Sequence, residues 1–277
     1  RRRSGRGGLL VEGLALAALL AVAVWLRADG LMTVPAFTDE SMELLLALDA
    51  SAAGRPNLVG VSSFLGGLHT WLLMGTVALT DGWVMGPRLL SLIAGVLTVL
   101  LTYLLGREVG GRWAGLLAGG LLATSLAHVA INSRIAWSNC VTPLFTTAAL
   151  LLLVRALGRD RPRLLVPAGI MLGLGLQTHP SALALYPGLA AGVLLSRRGR
   201  GWLRRPWPWL GLLAALLAYA NVLWFNLTTG GKSLAAARER EYAVRPVDSA
   251  GEIVANLGAL LTQLARSLGS AFAATPG

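Results

Sequence analysis

The chain has 277 residues, 55% hydrophobic and 13% charged, with a formal net charge of +11. That composition excludes an ordinary soluble domain and a disordered chain. The basic residues sit in short runs between apolar segments, not along an aromatic-interleaved stripe, which excludes a nucleic-acid surface. A single cysteine, Cys140, excludes an internal disulfide and a cysteine metal cluster.

In chain order, the sequence opens Arg1-Arg2-Arg3 without a methionine and stops at Gly277 in mid-pattern, which reads as a piece of a longer protein. The first apolar run, 9–26, is long and lacks a small-residue cleavage site, so it is an uncleaved span rather than a signal peptide. Glu12 lies near its start, within reach of the interface. Thr38-Asp39-Glu40 then opens a short amphipathic helix, with Thr38 as N-cap and acids favouring the first turn. The stretch 64–79 is apolar and ambiguous. Further candidate spans are 89–105, 113–131, 140–154, 164–178, 180–195 and 209–225; some fall short of the ~20 residues a bilayer core needs and rely on their flanks. Pro180 cannot continue the preceding helix, so Gln177-Thr178-His179-Pro180-Ser181 becomes the polar tip of a hairpin. The segment 226–277 is more polar, and its apolar residues around 253–272 suit an amphipathic or a spanning helix.

Loop charge sets the topology. Arg155, Arg159, Arg161 and Arg163 crowd one loop, Arg197, Arg198, Arg200, Arg204 and Arg205 another, and the amino terminus is also arginine-rich. The positive-inside rule places all three in the cytoplasm, which holds only if 64–79 lies on the outer surface or dips in without crossing. The expectation is an all-α, polytopic cell-membrane protein with about seven spans, its amino terminus cytoplasmic. Residues 1–226 form the transmembrane module, with an external loop over 27–86 that carries membrane-surface helices. Residues 227–277 are an external segment leading into a missing carboxyl-terminal part. Trp25, Trp137 and Trp224 mark one interface, and Trp113, Trp202, Trp207 and Trp209 the other.

The outer face then gathers the polar residues: Asp39, Glu40 and Glu43, then Arg134 and Asn139, then His179, then Lys232, Arg238 and Arg240. Acids facing cations suit transfer of a group from a phosphate leaving group to a hydroxyl. A carboxylate acts as general base, and cations neutralise the departing phosphate. Plainer roles stand beside this. The acids can serve the helix dipole, Arg134 can anchor a helix end at the headgroups, and His179 can hydrogen-bond at the hairpin tip. Asn226-Leu227-Thr228 matches a glycosylation acceptor, a motif common by chance.

Thr38-Asp39-Glu40 after a first span is followed by Gly54-Arg55-Pro56 and by the run Gly86-Pro87-Arg88-Leu89-Leu90-Ser91-Leu92-Ile93-Ala94-Gly95. Tyr103-Leu104-Leu105-Gly106-Arg107 and Gly110-Gly111-Arg112-Trp113-Ala114-Gly115 come next, then Ser133-Arg134 and Gly173-Leu174-Gly175-Leu176-Gln177-Thr178. Over residues 9–226 this order resembles the amino-terminal half of GT-C class polyprenyl-phosphate-sugar glycosyltransferases, of the protein O-mannosyltransferase and aminoarabinose-transferase type. The resemblance implies an inverting hexosyl- or pentosyltransferase working on the outer side of the membrane. It implies a polyprenyl-phosphate-linked sugar donor and a lipid, glycan or protein acceptor. It also implies Asp39 as the base with Glu40 beside it; with that base, the outer-face cations Arg134, His179, Lys232 and Arg238 are the expected donor-phosphate ligands, and Glu43, His69 and Arg88 are expected in acceptor or supporting roles. Where the family carries Pro-Pro or Lys-Pro, this chain has Val61-Ser62-Ser63-Phe64-Leu65-Gly66-Gly67-Leu68-His69; where it often has Thr-Lys, this chain has Thr178-His179.

No cofactor is required on this reading, because the outer loops lack a compact His and carboxylate set beyond the first cluster; a divalent metal held by Asp39 and Glu40 is the alternative. The competing function is a transporter or lipid flippase without transferase chemistry. Such proteins usually place ionisable groups near the bilayer midplane, whereas these span interiors hold almost no charge.

Overall fold

The computed structural model describes residues 6–33, 35, 38–81, 85–239 and 250–272. Among them the protein is helical, with one isolated bridge between Val59 and Gly66. It is an all-α membrane protein. The helices are α1 Arg6–Ala28, α2 Thr38–Ala52, α3 Leu68–Leu79, α4 Met85–Thr124, α5 Leu126–Ala130, α6 Ser138–Arg159 and α7 Leu165–Thr178. They continue with α8 Leu185–Leu195, α9 Arg197–Trp202, α10 Pro206–Ala218, α11 Ala220–Thr229, α12 Lys232–Glu239 and α13 Ala250–Phe272. Short 3-10 turns, Pro162–Leu164 and Pro180–Ala184, lead into α7 and α8.

By length and composition, Gly7–Ala28, Met85–Thr124 and Ser138–Arg159 are each able to cross a membrane. Pro206–Ala218 with Ala220–Thr229, bent by 61°, make a fourth candidate. This is fewer than the seven expected, partly because α4 joins two of the expected spans. Gly111 adopts φ 83° and ψ −174°, a region essentially closed to side chains, and the helix folds back there. A Cβ on Gly106 would stand 2.8 Å from the Ala114 carbonyl oxygen, and one on Gly119 would stand 3.1 Å from Tyr103 Cβ. The arms of α4 therefore run antiparallel and in contact. The second arm stops at Thr124, earlier than the expected 131, because Ser125 is extended (φ −62°, ψ 115°) and caps α5. By contrast α3, at 12 residues, is about 18 Å long at the α-helical rise, well short of a hydrocarbon core of about 30 Å.

Polar contacts sort the bundle into two ends. At one end Arg107 pairs with Glu12 at 2.6 Å, Arg159 Nε donates to Glu108 at 2.9 Å, and Arg198 donates to the Leu157 carbonyl at 2.8 Å. The arginine-rich turns gather here. At the other end stand α2, α3, the strap 131–137 and the hairpin tip after α7. Trp202 departs from its expected place at an interface. It is 2% exposed, packed with Leu153, Leu165 and Leu189, and donates to Asp160 Oδ1 at 3.1 Å; a satisfied indole N–H lets the ring enter the core.

Arg27 holds the far end of α1 in place. It is fully buried and donates to the carbonyls of Ala23 (3.0 Å), Ala123 (3.1 Å) and Leu122 (3.3 Å), to Ser133 Oγ (3.1 Å) and to His128 Nδ1 (2.9 Å). Its acceptors are uncharged, but the three carbonyls belong to the last turns of α1 and α4, where the helix dipole favours a cation. Helices α7 and α10 meet through glycines, with Gly169 against the Gly211 carbonyl and Gly173 against that of Ala215. Gly169→Ala is expected to lower the thermal unfolding midpoint in detergent, since overpacking costs about 1–3 kcal/mol. Gly188→Ala, with open space around it, is expected to leave the midpoint unchanged. Helix α13 follows further along the chain; its described apolar side chains, Val254 and Leu257 among them, are exposed.

Candidate active site

Helix α2 carries three acids, and helical periodicity divides them. Asp39 and Glu43, one turn apart, face a cavity of about 600 Å³ that is also lined by Phe64, Trp137 and His179. Glu40 points the other way, into the protein. Asp39 is exposed and makes no hydrogen bond or ion pair with the described residues, so its carboxylate is free to take a proton from a ligand.

Glu40 is 6% exposed and hydrogen-bonded at both carboxylate oxygens. It takes a two-pronged bond from Arg88 (Nε to Oε1 and Nη2 to Oε2, both 2.9 Å), and its Oε1 also accepts the Ala136 N–H at 3.0 Å. Arg88 further donates to the Leu31 carbonyl at 2.9 Å. The pair thus ties α2 to the start of α4, to the turn that follows α1 and to the strap. A metal shared by Asp39 and Glu40 would compete with Arg88 for the Glu40 carboxylate. Among the described residues no three His, Cys, Asp or Glu side chains converge on a common point.

Glu43 is 3% exposed. Its Oε2 accepts the Ser138 N–H at 2.9 Å and its Oε1 accepts the Ser138 hydroxyl at 2.7 Å. His69 Nδ1 lies 2.5 Å from Oε2. That contact is close but not aligned as a hydrogen bond, and the other ring nitrogen of His69 is buried without a partner. His69 reaches Glu43 from the first turn of α3 and does not line the cavity.

His179 stands across the cavity, its ring edge-on to Trp137 with centroids 6.4 Å apart. The Ser181 N–H donates to His179 Nδ1 at 3.1 Å. A backbone amide can only donate, so Nδ1 is the acceptor and the ring proton of neutral His179 is on Nε2. Burial lowers the pKa of His179 below its ordinary value, with the Glu43 charge opposing. The hairpin tip is held by Gln177, which accepts the Leu68 N–H at 3.2 Å, donates to the Ala218 carbonyl at 2.6 Å, and accepts from Asn221 at 2.9 Å. The Gly66 N–H donates to the Gln177 carbonyl at 2.8 Å, which fixes the loop that brings Phe64 to the cavity.

The other expected cations stand apart from the cavity lining. Arg134 donates to the Leu26 carbonyl at 2.7 Å, and its Nε is buried without a partner. Lys232 is exposed at the start of α12, next to Ser233, whose hydroxyl donates to the Ser63 carbonyl at 2.5 Å and so ties α12 to the cavity-lining loop. Arg238 belongs to α12, but its side chain lies outside the described residues, as does Arg240. Sequence reasoning passed over Ser138 and gave Trp137 only an interfacial role. Ser138 reaches the site through Glu43, 95 positions away, and Trp137 through the His179 ring on a separate element, neither of which a local pattern encodes.

A family model described as dolichyl-phosphate-mannose-protein mannosyltransferase matches residues 67–225, more than half of the chain. The matched stretch takes in His69, Arg88, Arg134 and His179 but begins after α2. A search of curated proteins found no match.

Proposed function

The chain belongs to the dolichyl-phosphate-mannose-protein mannosyltransferase family, a GT-C class family of membrane glycosyltransferases, and we propose that it transfers mannose from a polyprenyl-phosphate carrier to a hydroxyl of a protein, glycan or lipid. The observation that carries this reading is the unpaired Asp39 carboxylate sharing one cavity with the His179 imidazole. Asp39 removes the proton as the acceptor oxygen attacks the anomeric carbon. The bond from that carbon to the phosphate oxygen breaks on the opposite face, so the configuration inverts and polyprenyl phosphate departs. His179 donates its Nε2 proton as a hydrogen bond to the departing phosphate, and Lys232 adds positive charge at the rim. Arg134 and Arg238 belong to the same set of phosphate ligands on this reading. We place the cavity on the outer side and count seven crossings, the two arms of α4 among them. The gathering of the arginine turns at the opposite end supports that orientation.

The test is the protein in liposomes with labelled polyprenyl-phosphate mannose and a mixed acceptor pool. Label is expected to appear on acceptor; movement of intact donor across the bilayer without transfer would favour the transporter reading instead. His179→Ala is expected to lower kcat/KM by about 10–100-fold, the worth of a hydrogen bond to a charged group. Its lowered pKa also gives a sign. The neutral ring favours the folded state, so this contribution is complete above the unfolded value near 6.5 and is lost as pH falls through the folded value. Wild type is therefore expected to lose stability more steeply than His179→Ala as pH falls through that window, read from acid unfolding curves of the two.

A further inference from the structure

Glu43 has a role that base and phosphate ligands leave unfilled. Inversion requires the sugar ring to lie between the acceptor oxygen at Asp39 and the phosphate at His179. Glu43 lines the same cavity as both: it is one helical turn from Asp39, and its charge reaches His179. Its orientation is fixed by the Ser138 N–H and hydroxyl and by the His69 ring. These contacts occupy Oε2 and one side of Oε1. A carboxylate oxygen accepts two hydrogen bonds, so Oε1, with the Ser138 hydroxyl as its one donor, retains the capacity for a second on a residue that lines the cavity.

We infer that Glu43 is the residue that recognises the transferred sugar, its Oε1 accepting a hydrogen bond from one ring hydroxyl while Ser138 and His69 hold the carboxylate in place. This rests on the transferase reading and deepens it. Glu43 and Glu40, three positions apart, thus have separate duties: Glu40 secures α2 through Arg88, and Glu43 serves the cavity. Ser138 and His69 act through Glu43 and are positioning residues.

The experiment measures binding, so that it stands apart from turnover. Dissociation constants are measured for polyprenyl-phosphate mannose and its 2-, 3-, 4- and 6-deoxy analogues, with the protein in nanodiscs. Wild type is expected to bind one deoxy analogue about 10–100-fold more weakly than the parent, the range for a hydrogen bond to a charged group. Glu43→Gln is expected to compress that ratio to below about fivefold, with binding of the other analogues shifted equally relative to the parent. His69→Gln is expected to compress it part of the way, with an unchanged unfolding midpoint confirming that both variants fold. If Glu43→Gln keeps the full wild-type ratio, or wild type discriminates against none of the analogues, the inference is overturned. Transfer assayed on the same preparation reports separately on the reading beneath it: discrimination lost in Glu43→Gln while wild type transfers no sugar would sustain sugar recognition and remove the transferase.

Discussion

Asp39→Asn is expected to cut kcat/KM for sugar transfer by about 10²–10⁴-fold, the usual worth of a general base, and to lower the unfolding midpoint only slightly. The two halves of this expectation come from one observation: Asp39 faces the cavity yet makes no hydrogen bond or ion pair with the described residues. Removing its charge leaves no buried donor stranded. The first turn of α2 loses one favourable dipole interaction, typically about 0.3–1 kcal/mol, and keeps Glu40 there. Radiolabel transfer and a melting curve on the same preparation check both halves. Wild-type transfer by the variant removes the proposed base.

Breaking the Glu40–Arg88 pair is expected to have the opposite signature. Arg88→Met leaves a carboxylate 6% exposed with only the Ala136 N–H for compensation. Removing one partner of a buried ion pair typically costs about 3–5 kcal/mol, a large part of a membrane domain's margin. The loss should appear in the unfolding midpoint before it appears in donor binding. Replacing both residues, Glu40→Leu with Arg88→Met, is expected to recover much of the stability, because the desolvation cost disappears with the charges. Activity is expected to recover less, since the strap carrying Trp137 and Ser138 loses its anchor at the Ala136 N–H. A double variant no more stable than Arg88→Met alone would mean that the pair matters for shape rather than for charge.

The fold was legible in the sequence wherever a single helix or a single residue type decided it. Thr38 and the two acids after it mark the start of α2, Pro180 ends α7, and the arginine turns lie at the end away from α2. What remained hidden depends on pairs of distant residues. The partition of Asp39, Glu40 and Glu43 between cavity and core follows from Arg88 lying 48 positions from Glu40 and Ser138 lying 95 from Glu43, and nothing in the local pattern of α2 announces either. Trp202 was read as an interfacial anchor because an indole beside arginines commonly is one; Asp160, which satisfies its N–H, lies 42 positions away. The fold-back at Gly111 sat in a Gly-Gly-Arg-Trp run that marks a break between spans, but the continuous helical bonding around it was not visible beforehand. Residues 240–249, with Arg240, lie outside the described residues.

The most direct measurement is a structure of the protein with polyprenyl-phosphate mannose bound. The account predicts a phosphate oxygen within about 3 Å of His179 Nε2, with the sugar ring alongside Glu43 and the anomeric carbon turned toward Asp39. A donor phosphate seated instead at the end of the bundle where Glu12 meets Arg107, with the cavity beside α2 unfilled, would contradict it.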